Sequence, residues 1–373
     1  MDKALRIITL FLFPIILIGC AEQNVIEEIG FIHSVAYDLN TENNQDERER
    51  LMMTVSIPQT AEEAEEEKEI ISVKARSSKD GRAAISRKTD RMLGSGQMRS
   101  VLFNVDLAKE GIIDILESLV RDHHIGLNIR IIVAEGTGKE ILSSEYTRHP
   151  RTGRYITHLV EKETEESIAV DTSLHQFNRD YYDDGIDPIC AILKKGQNEL
   201  ILDGIALFKD DVYIMKVNPV DGRTFKMLHG GYRGGKVTID MENGAGTGEK
   251  GAYMTFSTIR TKRKLTVLSP TEIQLKVDII GAIDEYFGDL DLTKTSSQKE
   301  LEVQLADHLK EQGERLIQQM QEKKVDNLGI GQYVRNQIGY ENWKSINWKE
   351  EVYPTANIDV IMNVKIRDLG SMK

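Results

Sequence analysis

The first twenty residues set the strongest limit on the fold, because they decide where the folded body begins. Lys3 and Arg6 precede an apolar run, Ile7–Ile18, which has the length of a signal-peptide core and is too short to cross a bilayer comfortably. The run ends in Leu17-Ile18-Gly19-Cys20, the pattern of a bacterial lipobox. We predict cleavage between Gly19 and Cys20, with an S-diacylglyceryl and an N-acyl group on Cys20. An ordinary signal peptide and a short anchor helix are the alternatives.

Lipidation would make the mature chain a soluble body tethered at one end. Each buried CH₂ contributes about 0.8 kcal/mol, so one acyl chain binds a membrane marginally and two hold a protein there stably. No other apolar segment approaches 18 residues, so we expect no further membrane span. With Cys20 modified, Cys190 has no partner for a disulfide within the chain. We predict that Cys190 is a buried small hydrophobe and that the fold depends on its hydrophobic cores.

Composition narrows the function classes. A hydrophobic content of 40% and a charged content of 29% are typical of a globular protein. The net charge of −12 argues against a nucleic-acid role, and also against a broad basic face lying on anionic lipid.

Strand-like and helix-like segments predict a mixed α/β (α+β) fold of three domains, each a small mixed sheet with packed helices. We place an N-terminal α/β domain at 20–168, a middle domain at 169–236 and a C-terminal domain at 237–373. The C-terminal domain carries a long amphipathic helix over 297–325, which we expect to pack across its sheet. Its apolar stripe is formed by Leu301, Leu305, Leu309, Leu316, Ile317 and Met320.

Several shorter elements are predicted from caps and periodicity. Helices are expected over Lys79–Leu93 and Lys109–Asp122, and another over Asp171–Tyr182 with Asp171 as its N-cap. Asp326 is the expected cap of a helix near the C-terminus. The residues expected to face inward from that helix are Ile330, Tyr333, Val334 and Ile338.

The segments that suggest a nucleotide-binding or metal-binding motif do not meet the requirements of that motif. The segment Ile131–Glu140 ends a strand with Gly138-Lys139, but a phosphate loop needs glycine where Val133 stands and Ser or Thr where Glu140 stands. His123-His124 lies at a predicted helix end, where a cationic side chain interacts favourably with the helix dipole. No second cluster of His or Cys stands at zinc-ligand spacing. We therefore predict no catalytic residue, no metal site and no cofactor. Trp343 and Trp348 are interpreted as core anchors rather than ligand platforms.

Three separated segments resemble one family, the Ger(x)C spore germination lipoproteins, which are the C subunits of nutrient germinant receptors. The segment Tyr181–Pro188, followed by Leu202–Asp210, is similar to the family's middle signature. The tail signature is matched by Leu328–Val334, Trp343, Trp348 and Tyr353-Pro354. One departure stands directly after Cys20, where the family usually has Trp-Asp and this chain has Ala21-Glu22. The glycines of these segments, Gly204, Gly329 and Gly331, are interpreted as fold determinants that permit close backbone approach.

The resemblance implies a non-enzymatic subunit needed for receptor assembly, lipid-anchored on the outer face of the spore inner membrane. It also implies A- and B-type integral-membrane partner subunits, one of them similar to amino-acid transporters and recognising the nutrient. Two other functions stay open. A solute-binding lipoprotein would need a cleft with convergent polar groups. An envelope hydrolase acting on peptidoglycan would need a convergent catalytic pair, of which the sequence gives no sign.

Overall fold

The computed structural model describes residues 29–41, 49–59, 68–147, 149, 151–232, 234–240 and 252–368. The predicted lipidation site Cys20 and the cleavage site lie outside the described residues. No helix in the described part of the chain is long and apolar enough to cross a membrane.

Strands and helices alternate in the first half of the chain and separate into blocks in the second. The strands are β1 (Ile29–Phe31), β2 (Ser34–Leu39), β3 (Leu51–Pro58), β4 (Lys68–Ala75), β5 (Met92–Gly94), β6 (Ser100–Asn104), β7 (Arg130–Glu135), β8 (Ile189–Lys195), β9 (Leu200–Lys209), β10 (Val212–Val217), β11 (Gly235–Asp240), β12 (Tyr253–Ser269), β13 (Glu272–Phe287) and β14 (Asn357–Asp368). The helices are α1 (Ser78–Ser86), α2 (Val105–Glu110), α3 (Ile113–Val120), α4 (Gly138–Ser143), α5 (Thr152–Glu165), α6 (Leu174–Tyr182), α7 (Pro219–His229), α8 (Thr295–Lys323), α9 (Ile330–Ile338) and α10 (Tyr340–Ser345), followed by short π and 3₁₀ turns at Trp348–Val352 and Tyr353–Thr355.

An eight-stranded sheet in the order β10-β9-β8-β7-β6-β2-β3-β4 forms the larger core. Its central strands β2, β6, β7 and β8 run parallel, and antiparallel strands complete both edges. Parallel strands are joined by crossover helices, so both faces of such a sheet are covered. Helices α1, α3 and α6 pack on one face, and α4 and α5 on the other. Val101, Leu102 and Phe103 of β6 are accordingly all fully buried.

A four-stranded sheet in the order β11-β12-β13-β14 forms the C-terminal core. Ile273, Leu275, Val277 and Ile279 of β13 are buried, and they share one core cluster with the apolar stripe of α8. The predicted long helix across the last sheet is confirmed, with bounds Thr295–Lys323. The predicted mixed fold class is also confirmed.

The strands predicted for the middle domain do not form a sheet of their own. β8, β9 and β10 continue the sheet begun by β2, β6 and β7, because β8 pairs in parallel with β7. The division of the chain at residues 168 and 236 stays a prediction. One helix, α7, was missed between the predicted middle and C-terminal strands. Asn218-Pro219, a cap followed by a first-turn proline, is its start signal.

Three predicted helix boundaries were wrong. Ser173, not Asp171, is the N-cap of α6, since its hydroxyl accepts from the Gln176 amide while the Gln176 side chain accepts from the Ser173 amide. Asp171 instead forms an ion pair with Arg130, at 2.7 Å. The helix predicted over Lys79–Leu93 ends at Ser86, and the chain continues into β5.

The helix predicted over Lys109–Asp122 is two helices, broken at Gly111. The φ of Gly111 is +107°, a backbone conformation that favours glycine. A Cβ there would also lie 2.7 Å from a carboxylate oxygen of Asp211, which accepts from the Ile113 amide at 2.9 Å. The Asp211 side chain therefore supports the start of α3 from the β9–β10 turn.

Candidate functional site

The segments that carry the family resemblance meet at one place in the fold. The loop after α6 and the β9–β10 turn contact α9, α10 and the turns that follow, so residues about 140 to 160 positions apart in sequence become neighbours. We call this place the junction. It is formed by Asp183, Asp184, Asp187, Asp210, Asp326, Arg335, Trp343, Trp348 and Lys349, together with Gly185 and Gly331.

The outer part of the junction is an arginine clamp. Both carboxylate oxygens of Asp183 accept from Arg335, at 2.8 and 3.0 Å, in the bidentate geometry that favours arginine over lysine. Arg335 also reaches Asp184 at 2.5 Å, and the other oxygen of Asp184 accepts from the Trp343 indole at 2.8 Å. Burial alone would raise the pKa of Asp183, but hydrogen bonds from Arg335, the Gly185 amide and Gln332 outweigh it and lower that pKa. Asp183 is therefore ionised and fully partnered at neutral pH.

The inner part of the junction is a pair of fully buried aspartates whose backbones are joined. The Asp187 amide donates to the Asp326 carbonyl at 3.0 Å, and the Asp326 amide donates to the Asp187 carboxylate at 2.8 Å. The same carboxylate of Asp187 accepts from the Asp210 amide at 3.0 Å and from Lys349 Nζ at 2.6 Å. Burial would lower the pKa of Lys349, but Asp187 and Asp210 outweigh it and raise that pKa, so the ammonium stays charged.

Asp326 was predicted as the cap of α9, but the N-cap residue is Gly329, and Asp326 lies four residues before the helix. Its side chain nevertheless contacts the first turn of α9. Its carboxylate accepts from the Ile330 amide at 3.0 Å, the Gly331 amide at 2.7 Å and the Trp348 indole at 2.9 Å. A carboxylate at a helix N-terminus is stabilised by the helix dipole. Burial nevertheless raises its pKa to about 6, with Asp187 acting in the same direction against the three hydrogen bonds. Asp326 therefore ties the helix, the tryptophan and the loop from Asp187 together.

The two glycines let the backbones of the two loops touch. The Gln332 amide donates to the Gly185 carbonyl at 3.1 Å. A Cβ on Gly331 would lie 2.5 Å from the Trp348 indole nitrogen and 2.9 Å from the Gly185 oxygen, and a Cβ on Gly185 would lie 2.7 Å from the Gln332 nitrogen. The interpretation of Gly331 as a fold determinant is thus confirmed. Gly204 is confirmed likewise, since its φ is +129° and its Cβ would meet the Val217 carbonyl at 2.0 Å.

Trp343 and Trp348 are confirmed as core anchors, at 4% and 3% exposure. Their ring centroids are 5.8 Å apart, and Trp348 lies 5.6 Å from the fully buried Tyr353. Two of the four residues predicted to face inward from α9, Ile330 and Val334, are buried, and Ile338 packs on the core from its margin. The inward prediction for Tyr333 was wrong: this residue is 42% exposed, and its ring packs on the Arg263 guanidinium, whose carbon lies 5.2 Å from the ring centroid.

The charged groups of the junction are paired with one another. A groove of about 360 Å³ beside Trp343 is lined by Asp184, Lys209, Asp210, Lys349 and Glu350. Each of these charges has a partner: Lys209 pairs with Glu350 at 2.5 Å, and Lys349 bridges Asp187 and Asp210. These contacts hold the loop after α6 and the β9–β10 turn against α9, α10 and the turns that follow.

The rejected motifs have structural explanations. The N-terminus of α4, where a phosphate loop would place phosphate, holds the carboxylate of Asp38, which accepts from the Gly138 and Lys139 amides at 2.6 and 2.9 Å. Asp122, His123 and His124 offer ligand atoms within 4.8 Å of one another. Asp122 is already paired with Arg82, and the two imidazoles face each other, with ring centroids 4.0 Å apart. Cys190 is fully buried, as predicted, and burial raises the pKa of its thiol.

A second concavity, the helical cleft, lies between α5, α6 and the end of α7. Its volume is about 450 Å³, and its lining includes Gln176, Arg179, Asp180, Lys226 and His229. Burial raises the pKa of Asp180, against the hydrogen bond from Arg179. Burial lowers the pKa of His229 to about 4, and Lys226, Arg263 and Arg179 act in the same direction. This cleft combines buried groups of both charges, Asp180 and Lys226.

The pKa of His229 gives a pH prediction. The folded state excludes a proton that the unfolded state binds below pH 6.5, so the stability linked to this group is present above pH 6.5 and lost as the pH falls towards 4. We expect the free energy of unfolding to fall by about 2 kcal/mol more between pH 7 and pH 5 in the wild type than in His229→Gln. Urea titrations at both pH values measure this difference. The exposed His308→Gln is the control, and equal pH responses of wild type and His229→Gln would contradict the prediction.

The sequence alone missed the partners of the signature residues. Asp183, Asp187 and Asp326 were noted, but Arg335 and Lys349 were not, and nothing in their spacing selects them. The available signal was the tail segment itself, whose two tryptophans and two glycines implied a tightly packed element.

Comparisons with known proteins cover the chain from end to end. A family model described as the spore germination protein N-terminal domain matches residues 22–195, and one described as spore germination B3/GerAC like, C-terminal, matches residues 203–370. The spore germination protein GerQC of Bacillus cereus is 25% identical over 368 residues, which is 98% of this chain and 99% of that protein. The putative spore germination protein YfkR of Bacillus subtilis (strain 168) is 21% identical over 380 residues, covering 96% of this chain and 95% of that protein. The crystal structure of the GerBC protein covers 89% of this chain and 96% of its own, with a TM-score of 0.55 and 15% identity, so it supports the fold.

Proposed function

Because the chain belongs to the GerAC-like family of spore germination proteins, we propose that it is the lipid-anchored, non-enzymatic C subunit of a nutrient germinant receptor. Its role in this proposal is receptor assembly and function. The observation that carries the proposal is the junction. The residues of the family resemblance are used for internal cohesion, and each of the charged groups there is satisfied by another part of the chain. A scaffold needs such a junction, whereas an enzyme needs groups left available.

The proposal includes a location and partners. Lipid on Cys20 would hold the body at the outer face of the spore inner membrane, beside A- and B-type integral-membrane subunits. Two acyl chains suffice for stable anchoring. The finding that no described helix could cross a membrane is compatible with a lipid anchor as the means of attachment.

The lipid anchor is tested by Cys20→Ala. We expect the variant to be lost from the spore membrane fraction, because the thiol that receives the lipid is gone, and nutrient-induced germination to fall to the level of a strain lacking the chain. Cys190→Ala is the matched control, since Cys190 is buried and should leave membrane association unchanged. Fractionation with immunoblotting and a germination assay measure the two effects. A Cys20→Ala protein that stays membrane-bound and supports germination would contradict the proposal.

The helical cleft favours a second candidate function, binding of a small solute. Its volume of about 450 Å³ is within the range of small-molecule pockets, and buried Asp180 and Lys226 supply both charges. Calorimetric titration of the detergent-solubilised full chain with amino acids and sugars tests this function. Saturable heat that disappears in Asp180→Asn would support it, and no heat with any of these solutes would oppose it.

A further inference from the structure

The outer face of the C-terminal sheet collects basic side chains that the sequence keeps apart. In β12, Arg260, Lys262 and Lys264 occupy alternate positions and are all exposed. Alternate residues of a strand point to the same side of the sheet, and the other side of this sheet is buried under α8. The three cations therefore share the solvent face.

The strand register adds further cations from β13 and β14. Lys264 lies opposite Lys276, and Arg260 aligns through Ile280 with Lys365. The middle row contains Lys262, Asp278 and Asn363. We call these three rows the basic face. These rows contain five cations and one carboxylate, although the whole chain has a net charge of −12. The adjoining row, Thr266, Gln274 and Asp359, adds a carboxylate at the border of the face. Net charge is a sum over the chain and does not exclude such a local face.

The cations of the basic face are weakly compensated. In the described part of the chain, no carboxylate forms an ion pair with Arg260, Lys262 or Lys264, whereas Lys276 lies 3.5 Å from Asp278 and Lys365 lies 3.6 Å from Glu302. Lys264 and Lys276 are cross-strand neighbours of like charge, an arrangement that destabilises a sheet. Strands about 4.8 Å apart and a repeat of about 6.8 Å along each strand place neighbouring cations about 5–8 Å apart and the most distant pair, Lys264 and Lys365, about 17 Å apart. Lys365 is on the edge strand β14, and its ammonium reaches Glu302 of α8 at the sheet edge. Neighbouring cations therefore lie within one screening length at physiological salt, and an extended anionic surface can contact all of them at once.

We propose that the basic face lies on the anionic lipid surface of the membrane that holds the protein; this inference rests on the proposed function through the lipid anchor at Cys20. Eight residues lie between Cys20 and Ile29, and the nine steps along the chain reach at most about 30 Å, which keeps the body close to the headgroups. Each basic residue near an anionic surface strengthens binding by about 1 kcal/mol, or about fivefold.

The chemistry of the face favours lipid over other polyanions. Its three rows contain no aromatic ring on which nucleic-acid bases could stack. Protein interfaces are centred on buried aromatic or large apolar anchors, whereas the face offers only Ile280 and Ile361 between charged groups. An array of cations on the solvent side of a sheet matches a surface of headgroup phosphates in charge.

The test uses the lipidated full chain in vesicles, with an environment-sensitive dye on a cysteine introduced at Thr266→Cys, beside Lys264. Cys190 is buried, so the introduced thiol is the one that reacts. In phosphatidylcholine vesicles containing about a third phosphatidylglycerol, at salt of about 50 mM, we expect quenching by lipid-borne quenchers. Quenching should disappear in pure phosphatidylcholine and at about 1 M salt, where the screening length is about 3 Å. A dye at Asp307→Cys on the outer side of α8 should stay unquenched.

Charge reversal gives the matched comparison. The triple variant Arg260→Glu, Lys262→Glu, Lys264→Glu should lower the ratio of membrane-contacting to free sheet by at least about 100-fold, since the loss of three cations at about fivefold each gives that factor before the repulsion of the new carboxylates. The control variant Lys299→Glu, Arg315→Glu, Lys323→Glu makes the same change of charge on exposed positions of α8 and should keep the quenching. Equal loss in both variants, or a Thr266→Cys dye that stays unquenched on anionic vesicles, would overturn the proposal; the latter is the result expected if an acidic protein were the partner. Failure of the chain to stay on any vesicle would instead contradict the lipid anchor.

Discussion

Asp326→Ala should lower the free energy of unfolding of the C-terminal part by about 4 kcal/mol. The substitution leaves three buried donors without an acceptor, the amides of Ile330 and Gly331 and the indole of Trp348. Each unsatisfied buried donor costs about 1–3 kcal/mol, and relief of the repulsion between Asp326 and Asp187 offsets part of the sum. Asp326→Asn, which keeps one carbonyl acceptor but turns an amide donor towards another donor, should cost about half as much.

Urea denaturation followed by tryptophan fluorescence measures this loss. The chain has two tryptophans, and both lie in the junction, so their emission reports on the region that is changed. Asp307→Ala, an exposed position of α8, is the matched control and should change the midpoint little. If Asp326→Ala unfolds at the same urea concentration as the control, Asp326 does not hold the junction together.

Gly331→Ala should destabilise the junction by about 2–3 kcal/mol, although alanine is the better helix former by about 1 kcal/mol. The added methyl would lie 2.5 Å from the buried indole nitrogen of Trp348 and 2.9 Å from the Gly185 oxygen. Neither can withdraw without breaking a hydrogen bond, since that indole donates to Asp326 and the Gly185 oxygen accepts from Gln332. We expect a red shift of the tryptophan emission as Trp348 becomes exposed.

The sign of the effect makes the Gly331→Ala experiment decisive. The helix propensity of alanine predicts that the substitution raises the free energy of unfolding. The clash of the added methyl with Trp348 and Gly185 predicts that it lowers that free energy. Gly126→Ala is the control, because its Cβ would meet nothing within 4 Å and its backbone needs no positive φ. Gly185→Ala approaches the same contact from the opposite loop, so its effect should not add to that of Gly331→Ala. A Gly331→Ala protein as stable as the wild type would show that the close approach of the two loops does not require glycine at this position.

Local signals in the sequence were sufficient for much of the fold. The stripe Leu301, Leu305, Leu309 repeats at helical spacing, and the long helix lies within two residues of its predicted bounds. Glycines in apolar segments predicted the close approaches at Gly204 and Gly331. Each of these features is decided by neighbours in sequence, which is why a pattern could reveal them.

The pairings of the junction depend on tertiary structure and were not predictable. Arg335 meets Asp183 across 152 positions, and Lys349 meets Asp187 across 162. With 60 acidic residues in the chain, abundance alone cannot tell which carboxylate a cation will meet. The basic face could not be predicted from the sequence either, because it also depends on tertiary structure. The alternation of Arg260, Lys262 and Lys264 is visible in the sequence, but their alignment with Lys276 and Lys365 requires the strand register.

We propose above that this chain is an assembly subunit rather than an enzyme or an independent binding protein. The decisive measurement is affinity purification of the tagged, lipidated chain from spore membranes, with its partners identified by mass spectrometry. We expect two integral-membrane subunits, of the A and B types, to co-purify with the wild type and to be lost with Cys20→Ala. Recovery of the wild-type chain alone from membranes that contain both subunits would contradict it.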